Sequence, residues 1–515
     1  MTNDGRTMRR RLILLGICAA FGLAVWLLGP PEGLAGFALE AHVKAHVKVG
    51  EEAYEKAHEE AHDEVRKEAE PSGVLAGKAW TVLAVFVGVI LSLMLRPFPM
   101  GPMVLVGVVL ITALHAAAKD DAMNGYGKAV TWLVVAAFII AAGLVRSGLG
   151  TRIALWLVVK LGRTTLGLAY ALSAADLLLA PVVPSNTARG GGILAPIFRS
   201  LAGALGSEPD ADPRRAGSYL AFVGAMATVT TSAMFLTAMA ANGLVTDAAS
   251  NVMHVDFGWV RWATAMIVPG LTALLLMPLV IYLLYPPDMK DSRKAQAKAR
   301  GDLEALGSWR RDEKTMAGVF VMLILLWSTS GLHGIGTGAV AWIGVLILVL
   351  SDTLPYGEML KETKVWDALL WLGGLLSMAN LLSSQGTIAW FAHLVQGEVD
   401  GMSTMAAMIV LALVYFYAMY GFSMLTAHIS AMAAAFLTVL ASVEAPELAS
   451  VALIAAFSNV CACLTFYSTG PVVIYFGFGY VPAGKWFRLG AIVSLVHMSI
   501  WLLVGMGWWK ILGWW

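Results

Sequence analysis

The stretch VVPSNTARGGGILAP, residues 182–196, decides the fold of this chain. Ser185, Asn186 and Thr187 interrupt an apolar segment, and three consecutive glycines follow at 190–192. Glycine lets a backbone turn sharply and approach a ligand closely, and hydroxyl and amide groups beside a helix start can receive a carboxylate. Inside lipid, irregular backbone is tolerated only where it lines a cavity. The stretch therefore predicts the tip of a hairpin that enters a membrane and returns to the same side.

A packing site is the alternative interpretation, because small side chains also let two helices approach closely. Arg189 lies two residues beyond the polar triplet. A charged side chain at the centre of a membrane costs about 2.5–3.5 kcal/mol, and such residues mark functional sites. The arginine therefore favours a binding site over a packing site.

The rest of the chain has the composition of a membrane protein. Of its 515 residues, 58% are hydrophobic and 13% are charged, and the mean hydropathy is +0.74. Soluble globular domains carry about 25% charged residues. Apolar blocks such as 79–95 and 262–284 are close to the roughly 20 residues that a helix needs to cross the hydrocarbon core. These features predict an all-α polytopic membrane protein, and the net charge of +1 gives no indication of a nucleic-acid partner.

Apolar blocks predict a series of crossing helices. They lie at 11–28, 79–95, 99–117, 129–148, 216–240, 258–285, 315–330, 336–352, 366–385, 448–480 and 483–508. Two further apolar segments, 167–204 and 403–440, are too long for one crossing and have polar and glycine residues at their centres. We expect each to form a re-entrant hairpin, the first from inside and the second from outside.

Basic residues predict the orientation. Arg9, Arg10 and Arg11 precede the first predicted helix, and the loop 286–314 carries the densest run of Lys and Arg. The positive-inside rule places such segments in the cytoplasm. We therefore expect a multi-pass protein of the plasma (inner) membrane with a cytoplasmic N-terminus. Residues 35–75 and the C-terminus are then extracytoplasmic.

The two halves of the chain resemble each other weakly. NTARGGGILAPI at 186–197 is echoed by LTAHISAMAAAF at 425–436, and the charge pattern inverts one half relative to the other. Inverted repeats with interrupted helices are typical of secondary transporters, which bind substrate where the breaks meet at the middle of the membrane. We divide the chain into an N-terminal helix (1–34), a charged, His/Glu-rich helical insertion (35–75), a first repeat with its inward hairpin (76–285), a basic loop (286–314) and a second repeat with its outward hairpin (315–515).

The tips of the two predicted hairpins carry the candidate site. Each tip reads Thr-Ala-basic, with Thr187 and Arg189 in the first and Thr426 and His428 in the second. A single buried histidine is also common as a satisfied core residue. The correspondence with Arg189 nevertheless makes His428 a candidate for binding.

The crossing helices beside the hairpins contribute the remaining candidates. Ser and Thr interrupt these helices at 228–233 and 465–471, where we expect the backbone to be unwound. The predicted substrate-binding residues are Ser185, Asn186, Thr187, Arg189, Thr426, His428, Ser468 and Thr469. If sodium is used, the predicted ion-binding residues are Ser185, Asn186, Thr230 and Thr231.

The motif PSNTARGGGILAPIFRSL at 184–201 resembles the hairpin signature of the divalent anion/sodium symporter family, closest to its citrate/succinate, tartrate/succinate and oxoglutarate/malate translocator branch. Supporting segments are TSAMFLTAMAAN (231–242), TAHISAM (426–432), STGPVVIYFGFGYV (468–481) and WWKILGWW (508–515). The resemblance implies about eleven membrane helices with two hairpins, a homodimer in the lipid bilayer, and a transport domain that moves as an elevator. It also implies a carrier and not an enzyme, without a cofactor, whose substrate has two or three carboxylates held by the hairpin tips.

One departure from the family pattern bears on the transport mode. Sodium-coupled relatives carry Ser-Asn-Thr at both tips, where each asparagine helps to hold sodium, whereas the second tip here reads Met-Leu-Thr at 424–426. Methionine and leucine offer Na⁺ no side-chain oxygen. We therefore expect exchange of one carboxylate for another, with Arg189 and His428 supplying fixed positive charge. Sodium-coupled symport stays the alternative, because the first tip keeps Ser185 and Asn186.

A different function is suggested by HEEAH at 58–62, which spells the H-E-x-x-H signature of zinc proteases. A zinc protease also needs a third ligand and a folded domain with a cleft, which about forty charged residues cannot build. An apolar residue recurs at every fourth position over 51–70, which instead predicts a solvated surface helix; these residues are Ala53, Ala57, Ala61, Val65 and Ala69. A membrane metalloprotease, and weak metal binding by His58 and His62, are kept as remote alternatives.

Overall fold

The computed structural model describes residues 3–46, 71–399 and 401–515. Their regular elements are helices, apart from one isolated β-bridge between Thr164 and Asp291. Nine helices in these ranges are long and apolar enough to cross a bilayer. The predicted all-α polytopic membrane fold is therefore confirmed. The HEEAH motif, the predicted surface helix and the zinc candidates His58 and His62 lie outside the described residues.

The helices of the N-terminal part follow one another with short connections. They are Asn3–Leu27 (α1), Leu34–His46 (α2), Ser72–Leu95 (α3), Met100–Ala113 (α4), Lys119–Gly127 (α5), Ala129–Ser147 (α6), Leu149–Leu161 (α7), Thr165–Leu179 (α8), Ala195–Ala204 (α9), Gly217–Met234 (α10), Asn242–Met253 (α11) and Trp259–Leu284 (α12). A π-helix, Thr187–Leu194, runs directly into α9.

The C-terminal part has a similar sequence of elements. Its longer helices are Arg293–Ala305 (α13), Arg311–Ser328 (α14), Thr337–Leu350 (α15), Thr363–Ser384 (α16), Thr387–Val399 (α17), Thr404–Tyr417 (α18), Leu425–Ser442 (α19), Glu447–Val460 (α20), Gly470–Gly477 (α21) and Ala483–Ser499 (α22). A π-helix, Ile500–Gly505, and a last helix, Met506–Ile511, continue α22 to the C-terminal end.

Helical hairpins occupy both predicted positions. The first hairpin comprises α8, the π-helix and α9, and the second comprises α18 and α19. Both begin with the same kind of cap, in which a hydroxyl accepts a hydrogen bond from a backbone N–H three residues later. Thr164 accepts from Gly167 at 3.0 Å, and Ser403 accepts from Ala406 at 3.4 Å.

The helices pack into two groups. The first, which we call the frame, contains α1, α3 to α6 and α14 to α16. The second, which we call the hairpin body, contains the two hairpins together with α10 to α12 and α20 to α22. The helices α7, α13 and α17 connect the groups along the chain. The described part of the 35–75 insertion consists of α2, which packs on α3 and α17, and the first residues of α3.

The first break in a crossing helix lies later in the chain than predicted. α10 continues through the predicted unwound segment 228–233. Hydroxyl side chains in this segment donate to carbonyls four residues earlier, as Thr230 does to Met226 at 2.9 Å. They are therefore satisfied inside the helix and do not unwind it. The backbone is unwound over 235–241 instead, where an extended residue flanks each end of a 3-10 turn.

The second break lies where the sequence predicts it. A 3-10 turn, Cys461–Leu464, ends α20, and Thr465 and Thr469 both have extended dihedral angles before α21 begins. This unwound chain falls within the predicted segment 465–471. Both hairpins reach it, so the second break sets the position of the candidate site.

Candidate functional site

The first hairpin reaches the second break through its side chains. Asn186 Nδ2 donates to Thr469 Oγ1 at 3.1 Å, and both residues are 7% exposed. Thr187 packs against Gly470, where an added Cβ would overlap the threonine hydroxyl. Only glycine permits so close an approach at this position. At the tip itself, the Ser185 hydroxyl accepts from the backbone N–H of Ala188 at 3.1 Å.

The second hairpin reaches the same break through its backbone. The N–H of Leu425 donates to the carbonyl of Ser468 at 2.8 Å. The Ser468 hydroxyl donates to the carbonyl of Ala462 at 2.7 Å, which satisfies part of the 3-10 turn. Thr426 follows directly and is 9% exposed. The structure therefore brings together five of the predicted site residues, namely Asn186, Thr187, Thr426, Ser468 and Thr469.

The N-termini of three helices meet at the second break. The π-helix begins at Thr187, α19 begins at Leu425, and α21 begins at Gly470. The first turn of a helix has unpaired N–H groups and carries about half a positive charge. Helix starts of this kind bind carboxylates and phosphates. The arrangement can therefore hold an anion without a free cationic side chain.

Arg189 is fully buried and has all of its donors engaged. A guanidinium has five N–H donors, and five hydrogen bonds are present. Nε donates to Asp176 at 2.9 Å, Nη1 donates to the carbonyls of Val183 and Ala238 at 2.9 and 3.0 Å, and Nη2 donates to the hydroxyls of Thr231 and Ser232 at 3.1 and 3.3 Å. The prediction that Arg189 supplies an uncompensated charge is wrong for this structure, because the Asp176 carboxylate neutralises it.

His428 lies behind the second tip in an aromatic environment. It is fully buried, and its Nε2 is 2.9 Å from the carbonyl oxygen of Tyr415. Its ring centroid lies 4.5 Å from that of Tyr415 and 5.2 Å from that of Phe422. Within the described residues, its Nδ1 has no hydrogen-bond partner. A contact between His428 and a substrate stays a prediction.

The two threonines predicted to bind sodium are engaged elsewhere. The Thr230 hydroxyl donates to the carbonyl of Met226 within α10. The Thr231 hydroxyl donates to Asp176 and accepts from Arg189. Sodium at this position would therefore compete with an internal cation for the Thr231 oxygen.

Asp176 is the main site residue that the sequence reasoning missed. It is fully buried in the first arm of the first hairpin, thirteen positions before Arg189. A lone carboxylate within the apolar run AADLLLAPVV was a usable signal, because a charge inside a membrane is almost always paired. Searching for a partner to Arg189 within the same hairpin would have found it.

Asn242 is a second residue that sequence reasoning missed. Its Nδ2 lies within hydrogen-bond distance of three carbonyls at the first break, those of Ser232, Phe235 and Leu236, at 3.1 to 3.3 Å. Its Oδ1 accepts from Asn459 of α20 at 2.8 Å. This buried amide therefore satisfies the unwound backbone of the first break and links it to the helix that precedes the second break.

Comparison with known proteins adds an independent observation. The family described as "Sodium:sulfate symporter transmembrane region" matches residues 70–515. Bacillus subtilis YflS, provisionally named a malate transporter, is 42% identical over 86% of this chain and 93% of its own length. Dicarboxylate transporter 1 of Arabidopsis thaliana chloroplasts is 38% identical over 86% of this chain and 80% of its own length. The L-tartrate/succinate antiporter of Escherichia coli is 35% identical over 85% of this chain and 94% of its own length.

The matched region contains both hairpins, both breaks and every described residue of the candidate site. The resemblance read from the hairpin motif is thus confirmed. This chain belongs to the sodium:sulfate symporter family, that is, to the divalent anion/sodium symporters, and is a multi-pass membrane protein.

Proposed function

We propose that the chain is a secondary transporter of di- or tricarboxylates of the succinate, malate, oxoglutarate, citrate or tartrate class. Support comes from the relatives, whose names assign malate, dicarboxylates, or tartrate and succinate to them. We propose a carrier without enzymatic activity or cofactor. The remote protease hypothesis rests on residues outside the described ranges.

The observation that carries this proposal is the meeting of three helix starts at the second break. Asn186 and Thr469 are hydrogen bonded there, and the second hairpin is tied to Ser468. A carboxylate group suits such a site, because backbone N–H groups and hydroxyls all donate to it. We propose that Ser185, Asn186, Thr187, Thr426, Ser468 and Thr469 contact the substrate, and that Arg189 and His428 support them from behind.

We propose exchange as the transport mode, with a physical reason that differs from a free arginine charge. The positive ends of the three helices belong to the protein and cannot dissociate. When the site is empty, roughly half a positive charge at each helix start lacks a counter-ion, and moving the site through a low-dielectric barrier is then costly. A second anion removes this cost and allows the return step. Arg189 adds no net charge to this cost, because the Asp176 carboxylate neutralises it.

Sodium-coupled symport is the second candidate, and the polar first tip favours it. The Ser185 hydroxyl and the Asn186 carbonyl oxygen are side-chain ligands that Na⁺ accepts. The engagement of Thr230 and Thr231 within the protein argues against the full predicted sodium site. If sodium is used, we propose that Ser185 and Asn186 bind it.

The sequence also supports a proposal for the location and orientation of the protein in the membrane. We propose that it lies in the plasma (inner) membrane with the N-terminus in the cytoplasm and with the C-terminus and residues 35–75 outside, because Lys and Arg are concentrated in 286–314. We also propose a homodimer in the bilayer and no nucleic-acid partner.

Counterflow in proteoliposomes tests this function. Vesicles loaded with labelled succinate, malate, oxoglutarate, citrate or tartrate are diluted into buffer with or without unlabelled carboxylate, and with or without Na⁺. Exchange predicts rapid efflux only when external carboxylate is present, irrespective of Na⁺. Efflux that requires Na⁺ would establish symport, and no carboxylate-dependent flux for any of the five would reject the proposed substrate class.

A further inference from the structure

The frame and the hairpin body meet along a surface made mainly of small and apolar side chains. On this surface α11 and α19 of the hairpin body face α3, α6 and α16 of the frame. The residues where α11, α16 and α19 adjoin include Ala248, Leu376, Ala379, Ile429, Ala433 and Ala434. Small side chains let helices lie close without interlocking. Apolar contacts of this kind are non-directional and do not by themselves select one relative position. Elsewhere, Trp259 of α12 stacks on Trp327 of α14, with ring centroids 5.7 Å apart.

Polar contacts across this surface are few and lie in two clusters. Among the described residues outside the connecting helices, four hydrogen bonds join the frame to the hairpin body. One cluster joins Arg96 and Met94 at the end of α3 to Ser423, with distances of 3.1 Å from Arg96 Nη2 to the Ser423 carbonyl and 2.7 Å from Ser423 Oγ to the Met94 carbonyl. The other cluster lies at the start of α6.

The cluster at the start of α6 consists of four side chains from three elements. Lys128 Nζ lies 2.6 Å from Asp247 Oδ1 and 3.3 Å from Asn380 Oδ1. Asn251 Nδ2 donates to Asp247 Oδ2 at 3.0 Å and to Asn380 Oδ1 at 2.8 Å. Lys128 and Asn380 belong to the frame, and Asp247 and Asn251 lie on α11 of the hairpin body. Both carboxylate oxygens of Asp247 and the amide oxygen of Asn380 therefore accept hydrogen bonds within the group.

The ion pair in this cluster is largely shielded from water. The side chains of Lys128 and Asp247 are 23% and 9% exposed. Charged groups attract more strongly where the dielectric is low, and separating a shielded pair leaves each charge poorly solvated. The four residues thus give a position-specific attraction on a surface made mainly of small and apolar side chains.

We propose that Lys128, Asp247, Asn251 and Asn380 form a latch that fixes the position of the hairpin body against the frame and opens in every transport cycle. This inference rests on the proposed function, because alternating access requires one helical group to move against the other around the site. All four are positioning residues, since they act on the site through the body that carries it. The contacts must break whenever α11 leaves this position.

A reversible cross-link tests whether the latch opens. Asn251→Cys and Asn380→Cys are combined, since the native side chains are 2.8 Å apart and the native cysteines Cys18, Cys461 and Cys463 are buried. After oxidation we expect at least a roughly tenfold loss of counterflow, recovered on reduction. The matched control is Leu133→Cys with Gly338→Cys within the frame, because a Cβ at position 338 would lie 4.0 Å from the Leu133 Cβ, a separation that a disulfide spans. Its oxidation should leave counterflow unchanged.

The outcomes separate this inference from the proposed function. Equal counterflow before and after complete cross-linking of the two introduced cysteines would overturn the latch while the transport function stands. Absence of counterflow in the reduced double variant, with counterflow in the native chain, would mean that the cluster is needed for more than positioning and would also overturn the latch. Absence of carboxylate counterflow in the native chain would instead reject the proposed function.

A second measurement tests the ion pair without relying on transport. In a Met94→Cys, Ser423→Cys background, the rate of disulfide formation reports how often the hairpin body occupies the position seen here, because these residues touch at the other cluster. Adding Asp247→Asn should slow this cross-linking by roughly threefold or more, since a neutral amide holds Lys128 less strongly. Exchanging the charges, with Lys128→Asp and Asp247→Lys, should restore it in part. An unchanged rate with Asp247→Asn would overturn the role of the ion pair.

Discussion

The two hairpins hold their basic residues in different ways. In the first, Arg189 pairs with Asp176, thirteen positions earlier, and every donor is satisfied. In the second, the His428 Nε2 lies 2.9 Å from the carbonyl oxygen of Tyr415, also thirteen positions earlier. The ring of the same tyrosine lies 4.5 Å from the imidazole, measured between centroids. Equivalent positions therefore hold a buried ion pair in one hairpin and a packed imidazole in the other.

The same contrast holds at the tips. The tip of the first hairpin contacts the second break through the side chain of Asn186. The tip of the second hairpin contacts the same break through the backbone N–H of Leu425. A backbone contact tolerates many side chains, whereas a side-chain contact does not. We infer that substitutions in the first hairpin affect transport more than equivalent substitutions in the second.

The largest effect is expected for Asp176→Asn. This change leaves Arg189 charged and unpaired in a fully buried place, and breaking such a pair costs about 3–5 kcal/mol. We expect a large fall in the melting temperature of the purified protein and loss of counterflow. The control is Asp288→Asn, whose pair with Arg214 is exposed on both sides and contributes about 0–1 kcal/mol. Similar melting temperatures for the two variants would contradict the comparison of the hairpins.

Asn186→Ala is expected to stop transport without unfolding the protein. It removes the amide that joins the first tip to Thr469 and leaves the Thr469 hydroxyl without this partner. We expect counterflow to fall by roughly tenfold or more at unchanged expression, and the melting temperature to fall far less than in Asp176→Asn. Thr438→Ala in the second hairpin is the control, because its hydroxyl donates only within its own helix. Near-normal counterflow by Asn186→Ala would remove this residue from the site.

The sequence predicted the hairpins well because their signal is local. Apolar arms around SNTARGGG indicate a turn inside a membrane whatever surrounds them. The second break was also predictable, since Gly470 and Pro471 cannot continue the preceding helix easily. These features depend on neighbouring residues only.

Features that depend on distant partners were not predictable in the same way. The hydroxyls at 228–233 indicate a break as readily as a helix, and only their carbonyl partners in α10 distinguish the two. The true break at 235–241 depends on Asn242, which satisfies its carbonyls. The neutralisation of Arg189 by Asp176 is a property of the folded hairpin, so the local sequence predicts a fixed positive charge that the structure cancels.

A smaller effect is expected for Gly470→Ala, which tests the contact between the first tip and α21. The added Cβ overlaps the Thr187 side chain, and overpacking of this kind costs about 1–3 kcal/mol. We expect counterflow to fall severalfold. We expect the double variant with Thr187→Ala to lose less than the two separate losses combined, because the overlapping hydroxyl and methyl are gone while the Cβ at position 187 stays 3.0 Å from the added carbon. Gly477→Ala at the other end of α21 has free space around its Cβ and is the control. Fully additive losses in the double variant would contradict direct contact between the two residues.

The smallest effect is expected for His428→Gln, and the result sharpens the comparison between the hairpins. A glutamine amide can still donate to the Tyr415 carbonyl that His428 faces at 2.9 Å, so the neutral contact, worth about 0.5–1.5 kcal/mol, is kept. We expect counterflow to stay within about twofold of the native value. Arg189→Gln is the matched substitution in the first hairpin, and it should abolish counterflow because Asp176 loses its only ion-pair partner among the described residues. If both glutamine variants lose transport to the same extent, His428 carries a role equal to that of Arg189. The difference between the hairpins would then be one of geometry and not of function.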